Sequence, residues 1–393
     1  MNPGKPTLSG GRERSHGLDL LRTAAILMVI MWHLPEACLP FQWCPATWAG
    51  VDLFFVLSGY LIGTQLLRPY ARGNHPSYID FFLRRTFRVL PAYLAVLTLY
   101  FTIPQFREKP GISPIWRFLT FTQNFGLDAS VVGSFSHAWS LCVEEHFYLI
   151  LPLLVFWFMR KPSFNKVCSV ILVIVVGGLI LRGFLWIDYI KPLWDQHSRG
   201  LGYRYVEMIY YPTYTRLDSL LVGVVLASAR LFRPAWWKAL TSHGNLLLVL
   251  AIPLLVFTFW ICQDMQSFWT AVFGFPLLAL GFGMLVLSCL SPGSFLANHR
   301  FYGASIGATL SYSTYLTHKE VMHLDRLYFG SFVRMDGPAG LAIYAVTFLV
   351  AACVLYFCVE RPFLMLRDRI LTRSDAKAAE LLRPAELALE RGE

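Results

Sequence analysis

Apolar runs of about twenty residues recur along the chain and are separated by short polar segments. A helix rises about 1.5 Å per residue, so a run of this length can cross the hydrocarbon core of a bilayer. The pattern therefore predicts an all-α, polytopic membrane protein with about ten transmembrane helices. The predicted spans lie near residues 18–34, 51–67, 88–104, 140–159, 166–187, 214–229, 245–262, 268–290, 304–322 and 340–358.

The first apolar run, Gly17 to His33, contains two costly polar residues, Arg22 and His33. Their spacing corresponds to roughly 16 Å along a helix and to nearly three turns, so both side chains project from nearly the same face. The helix would place a cation near one membrane surface and an imidazole deep inside. Such groups are candidates for function, although a snorkelling arginine and an interhelical hydrogen bond of the histidine would explain the same pattern.

Composition and charge agree with a membrane protein. Hydrophobic residues make up 56% of the chain and charged residues only 15%, which a soluble domain could hardly sustain. The net charge of +10 comes from basic clusters between apolar runs, a pattern that topology explains better than nucleic-acid binding does. Most Lys and Arg fall on one side if both termini are cytoplasmic. We therefore expect a cytoplasmic segment at 1–16, a transmembrane domain at 17–366 and a cytoplasmic tail at 367–393.

Two cysteines differ from the others, which lie in or beside apolar spans. Cys38 and Cys44 both fall in the predicted outer loop after the first span. The outer compartment permits disulfides, so these two residues are a candidate pair.

Further polar residues lie in or beside the later spans. They are His137, Glu144, Glu145, Arg216, Asp218 and His318. Glu144 and Glu145 are adjacent and point about 100° apart on a helix, so they cannot serve one face equally. Each residue alone could make a buried hydrogen bond or anchor an interface, but their number indicates a shared polar cavity.

Seven short motifs occur in order along the chain. They are Arg22 with His33, Gly50–Tyr60 containing Asp52 and Ser58, Arg84–Pro91 containing Arg85 and Arg88, Trp139–Glu144 containing Ser140, Arg216–Gly223 containing Asp218, Ser311–His318, and Val359–Pro362. Each motif is weak alone, but the ordered set resembles the acyltransferase-3 family of integral membrane enzymes over about residues 13–366. That family has a bundle of about ten transmembrane helices.

The resemblance implies transfer of an acyl group, commonly acetyl, from acyl-CoA to a hydroxyl. The acceptor would be a sugar or a glycosylated small molecule, such as a unit of a cell-surface or exported polysaccharide. The protein would lie in a bacterial inner membrane, with acyl-CoA as co-substrate. We expect no bound cofactor, no metal and no nucleic-acid partner.

Arg22, Arg85 and Arg88 are the candidate donor-binding residues. CoA is a cytoplasmic polyanion, and Arg85 and Arg88 lie one turn apart beside the third span, where guanidinium forks suit phosphate oxygens. The pantetheine arm is comparable to the roughly 16 Å between Arg22 and His33. A thioester could therefore reach mid-membrane depth while the nucleotide stays in the cytoplasm.

His33 is the candidate general base, because a neutral imidazole can take the proton of an attacking hydroxyl. Glu144 or Glu145 would orient that imidazole. An acyl-histidine or an acyl-serine at Ser58 or Ser140 stays open, but no Gly-x-Ser-x-Gly elbow occurs, which favours direct transfer. The other candidates for the polar cavity are Asp52, Ser58, His137, Ser140, Arg216, Asp218 and His318.

A secondary transporter or a glycan flippase is the competing interpretation, with the buried Arg, His and Glu residues as a proton relay. The basic cluster at the inner mouth argues against it. So does the lack of an obvious pair of Gly- or Pro-broken helices in matching halves of the sequence.

Overall fold

A computed structural model describes residues 15–38 and 47–373, and its regular secondary structure is helical throughout, which confirms the all-α prediction. The main helices are α1 (His16–His33), α2 (Gly50–Ala71), α3 (Tyr78–Thr102), α4 (Trp139–Arg160), α5 (Phe164–Leu185), α6 (Asp218–Phe232), α7 (Pro234–Thr241), α8 (Gly244–Ile261), α9 (Phe275–Cys289), α10 (Ala304–Phe329) and α11 (Pro338–Leu355). Beyond α11 the chain stays helical to the end of the described range, at residue 373. Each predicted span falls on one of the main helices. The α3 helix begins ten residues earlier than its predicted span, because the Ser77 side chain caps it by accepting from the Asp80 amide.

Six helical segments of the described ranges are long and apolar enough to cross a membrane. They are Thr47–Ala71, Ser136–Arg160, Phe164–Asp195, Gly244–Ile261, Thr270–Cys289 and Pro338–Arg373. The pair α6 and α7, bent by 113°, raises the number to seven if it forms one broken span. Helices α1, α3 and α10 fall short because charged and polar side chains interrupt their apolar character. The count of ten spans therefore stays a prediction.

The centre of the bundle is α2, which packs most extensively against α6 and also contacts α1, α4 and α9. Glycines allow the close approach of α2 and α6. A Cβ atom at Gly59 would lie 2.1 Å from the Leu220 carbonyl oxygen, and one at Gly223 would lie 2.3 Å from the Val56 carbonyl oxygen. Small residues at a helix crossing give close backbone packing in membranes. Helix α10 packs on α1, so the helix carrying His318 lies beside the helix carrying Arg22 and His33.

The predicted disulfide and the two expected cytoplasmic segments involve residues outside the described ranges. Cys38 is buried just after α1, and its thiol donates to the Met335 carbonyl oxygen at 3.3 Å. Cys44 lies outside the described residues, so its pairing with Cys38 stays a prediction. Most of the expected cytoplasmic segments, 1–14 and 374–393, also lies outside them.

Membrane orientation is testable with reporter fusions. A reporter after Glu393, or in the loop 72–77 between α2 and α3, should read cytoplasmic because these regions lie among the basic clusters. A reporter in the loop 196–200 should read external. Paired alkaline phosphatase and green fluorescent protein fusions give the measurement, and an external reading at the C-terminus would contradict the proposed orientation.

Candidate active site

A cavity of about 2060 Å³ lies between α1, α2, α3, α4 and α10. Arginines dominate its charged lining: Arg22, Arg68, Arg72, Arg84, Arg85, Arg88, Arg230, Arg300 and Arg367. Its lining carboxylates are Asp19 and Glu144. Concentrated positive charge between low-dielectric walls attracts a polyanion.

Charge is unevenly distributed along this cavity. Arg68 and Arg72 lie at the C-terminal end of α2, whereas Ser58 lies in the middle of the same helix. Ten residues separate Ser58 from Arg68, which corresponds to roughly 15 Å along the axis. The cavity therefore runs from a basic mouth to an interior lined by Ser58, Ser140 and Glu144, over a length comparable to an extended pantetheine arm.

Glu144, rather than Glu145, lines the cavity. Its carboxylate accepts hydrogen bonds from Ser58 Oγ at 3.1 Å and from the Tyr148 hydroxyl. The Arg85 guanidinium lies 4.8 Å from the centre of the Tyr148 ring. Adjacent helical residues project about 100° apart, so the two glutamates cannot face the cavity equally. The packing of α4 against α2 decides which one faces inward.

Arg88 forms an ion pair with Glu360, whose side chain is only 1% exposed. Glu360 also accepts a hydrogen bond from Ser313 Oγ at 2.7 Å. Sequence reasoning did not single out Glu360 as a site residue, although a carboxylate following the last apolar run was a usable signal. The ion pair positions Arg88 at the cavity wall, with its guanidinium 5.7 Å from the Tyr312 ring centre.

The three histidines predicted for the site form one cluster. His33 ends α1, and its ring centre lies 4.8 Å from that of His318 on α10. The His33 Nδ1 atom is 2.8 Å from the Val29 carbonyl oxygen and 3.3 Å from His318 Nε2. The His137 ring centre lies 5.1 Å from that of His318.

Tyr315 connects this histidine cluster to the cavity. It lines the cavity, and its ring centre lies 5.7 Å from that of His137 and 5.9 Å from that of His318. Its hydroxyl is 2.6 Å from Ser140 Oγ and donates to the His137 carbonyl oxygen. The three histidines themselves are not among the residues lining the described part of the cavity. Sequence reasoning missed Tyr315, although it lies in the motif Ser311–His318, which also contains Tyr312.

The described hydrogen bonds do not pair His33 with either glutamate. His33 bonds to Val29 and His318, whereas Glu144 bonds to Ser58 and Tyr148. In this arrangement the imidazole of His318 occupies the place beside Nδ1 that was expected for a carboxylate.

The remaining predicted cavity residues form buried ion pairs elsewhere in the bundle. Arg216 Nη2 lies 2.9 Å from Asp52 Oδ2, and Arg182 Nη1 lies 2.7 Å from Asp218 Oδ2. Asp52 also accepts from Ser219 Oγ at 3.1 Å. These pairs tie α2, α5 and α6 together and do not contribute to the described lining of the arginine-rich cavity.

The Acyl_transf_3 family model, described as an acyltransferase domain, matches residues 15–357. The O-acetyltransferase OatA of Staphylococcus aureus strain NCTC 8325 is 26% identical over 368 residues, a match covering 88% of this chain and 56% of OatA. A provisionally named O-acetyltransferase of S. aureus strain COL is 28% identical over 375 residues, covering 88% of this chain and 57% of that protein.

The chain thus spans a little over half of the length of these relatives. No solved structure matches it. Since the family model matches most of the sequence, including all three histidines of the cluster and all but two of the cavity-lining residues, the chain belongs to the acyltransferase-3 family.

Proposed function

We propose that the protein is a membrane O-acyltransferase that moves an acyl group, acetyl in the simplest case, from acyl-CoA to a hydroxyl of a sugar or glycosylated acceptor. The observation that carries the proposal is the cavity of about 2060 Å³ with an arginine-rich mouth and an interior lined by Ser58, Ser140 and Glu144. Its charge distribution suits a donor with a polyanionic head and an uncharged arm. In this proposal the mouth opens to the cytoplasm of a bacterium and the acceptor arrives from the outer side of the inner membrane.

The arginines of the mouth would bind the donor's phosphates. Arg84 and Arg85, the seventh and eighth residues of α3, line the same cavity as Arg68 and Arg72 at the C-terminal end of α2. Guanidinium groups make charge-assisted, often bidentate contacts with phosphate oxygens. The pantetheine arm would then extend along α2 toward Ser58 and Ser140, and place the thioester near Tyr315.

The chemistry follows from His33 as general base. Its unprotonated nitrogen takes the proton of the acceptor hydroxyl while the hydroxyl oxygen attacks the thioester carbonyl carbon. The carbon–sulfur bond then breaks, and the CoA thiolate takes the proton back from His33. An ester, free CoA and neutral His33 result. The hydrogen bond between Ser58 and Glu144 keeps an acyl-serine route as the alternative, with Glu144 as the base that would activate Ser58.

A direct test uses the purified chain with labelled acetyl-CoA in detergent. The proposal expects CoA release, by slow hydrolysis without acceptor and by faster transfer when glycans from the source membrane are added. A transporter or flippase should release no CoA, so its absence with folded protein would contradict the proposal. Mass spectrometry of surface and exported glycans with and without the protein would then reveal the acceptor as a shift of one acyl group.

Arg85 gives the cleanest test of donor binding. Loss of a charge-assisted contact costs about 1.5–3 kcal/mol, so Arg85→Ala should raise the apparent KM for acyl-CoA roughly ten- to a hundredfold and leave kcat near that of the parent. Steady-state kinetics with varied acyl-CoA provide the measurement.

Arg117→Ala is the matched control for Arg85, because Arg117 lies beside the Trp116 ring and is not among the described lining residues. Its KM should be unchanged. Arg88→Ala is a poorer test, since it would leave the buried Glu360 without its ion-pair partner. A collapsed kcat with unchanged KM in Arg85→Ala would contradict the donor-binding role.

A further inference from the structure

The hydrogen bonds of His318 determine which of its ring nitrogens carries the proton. His318 is 1% exposed, and its Nδ1 lies 2.8 Å from the Tyr315 carbonyl oxygen. A carbonyl oxygen only accepts, so Nδ1 of the neutral ring is the donor. The other nitrogen, Nε2, is therefore an acceptor, and it faces His33.

The same reasoning applies to His33. Its Nδ1 lies 2.8 Å from the Val29 carbonyl oxygen and 3.3 Å from His318 Nε2, which are both acceptors. Nδ1 of His33 therefore carries the proton and donates to both. In a neutral imidazole this leaves Nε2 with its lone pair, which is the form that a general base needs.

We propose that His318 is a positioning residue for His33, an inference that rests on the proposed acyl transfer. Together with the Val29 carbonyl oxygen, His318 holds the His33 ring in the tautomer whose Nε2 accepts the proton of the acceptor hydroxyl. Its Nε2 then accepts a stronger hydrogen bond from Nδ1–H once His33 is positively charged. In other histidine-dependent transferases a carboxylate has this role.

The surroundings of His318 explain how a neutral ring can replace a carboxylate. An unpaired carboxylate in this buried place would carry a large desolvation cost, which an imidazole avoids. The His137 ring packs edge-on against His318 at an interplanar angle of 72°. Together with the bond to Tyr315, this contact fixes the plane of the His318 ring, so that its Nε2 points to His33.

Two substitutions at His318 separate positioning from packing. His318→Met replaces the nitrogen acceptor with a thioether, which is only a weak acceptor, on a side chain of similar length. We expect its kcat to fall about 10- to 100-fold, less than the roughly 10⁴-fold lost with the carboxylate of a serine-protease triad, because the lost acceptor is neutral. His318→Gln places an amide oxygen near the position of Nε2 and should recover most of that loss. The apparent KM for acyl-CoA should stay within about twofold of the parent in both variants.

Either of two kinetic outcomes would overturn the proposal: a folded His318→Met protein with kcat within about threefold of the parent, or equal losses in the Met and Gln variants. Should the variants not fold, the parent protein itself decides the matter. Solid-state NMR of ¹⁵N-histidine-labelled protein in liposomes, with the His33 signals assigned from His33→Asn, should show protonated Nδ1 and unprotonated Nε2 at neutral pH. The opposite tautomer would refute the proposal.

These experiments distinguish failure of the His318 proposal from failure of the proposed function. Acyl transfer by the unmodified protein tests the function alone. The ratio of kcat in His318→Met to kcat in His318→Gln, together with the tautomer of His33, tests the positioning role of His318.

Discussion

Replacement of His33 by alanine should lower kcat of acyl transfer by about 10²–10⁴-fold and leave the apparent KM for acyl-CoA nearly unchanged, because general-base assistance has this magnitude. The side chain lies at the end of α1 in the histidine cluster, away from the arginine-lined mouth. Its loss should therefore affect the proton transfer and not donor binding. Single-turnover and steady-state assays with labelled acyl-CoA provide the two constants.

Variants of neighbouring residues give the controls for His33→Ala. His33→Gln should be as inactive as His33→Ala, because an amide is not a base. Arg22→Lys should retain more activity than either, since Arg22 lies in the donor cavity and lysine keeps its charge. If folded, membrane-inserted His33→Ala transfers acyl groups within a few-fold of the parent rate, His33 is not the base. Glu144, which lines the cavity, would be the next base to test through Glu144→Gln.

Arg216→Met should reduce the free energy of unfolding by about 3–5 kcal/mol, which is typical when one partner of a buried ion pair is removed. The Arg216 side chain is fully buried against Asp52, and its guanidinium lies 3.9 Å from the Phe275 ring centre. The variant leaves the Asp52 carboxylate uncompensated where α2 and α6 cross. Unfolding in mixed detergent and SDS micelles, followed by tryptophan fluorescence, measures the change.

A double variant isolates the charge from the packing at this position. Asp52→Asn combined with Arg216→Met removes both charges and should be more stable than Arg216→Met alone. Lys191→Ala is the matched control, because the Lys191–Asp195 pair is more than half exposed and should contribute less than about 1 kcal/mol. Equal stabilities of Arg216→Met and Lys191→Ala would show that the buried pair has no structural role.

Parts of the candidate site were predictable from the sequence because they depend on one helix at a time. Arg22 and His33 do lie on a single uninterrupted helix, as their spacing predicted. The basic residues of α3 do face a cavity, consistent with the prediction that Arg85 and Arg88 lie at the mouth of a donor site. The long, strongly apolar runs were also predictable, since hydropathy and helical rise are local properties.

Contacts between helices were not predictable in the same way. The sequence indicated one polar cavity for all buried polar residues, but Asp52 and Arg216 pair with each other and Asp218 pairs with Arg182. Residues that are equally polar and equally deep in their spans can thus serve a binding cavity or hold helices together. The difference depends on how each helix is rotated about its own axis relative to its neighbours. The spacing of residues along one helix does not reveal that rotation.

The sequence by itself determined that the chain is a helical, membrane-type acyltransferase-3 protein. It also determined which helices carry arginine, histidine and glutamate. Both follow from the order of residues along the chain, because apolar runs and motifs are local features of the sequence. The tertiary structure alone decided that Glu144 and not Glu145 faces the cavity, that Glu360 holds Arg88, and that His318 lies beside His33. These are contacts between helices that are up to 285 residues apart in sequence. They arise from rotation and packing of rigid helices against one another, and local sequence does not encode that geometry.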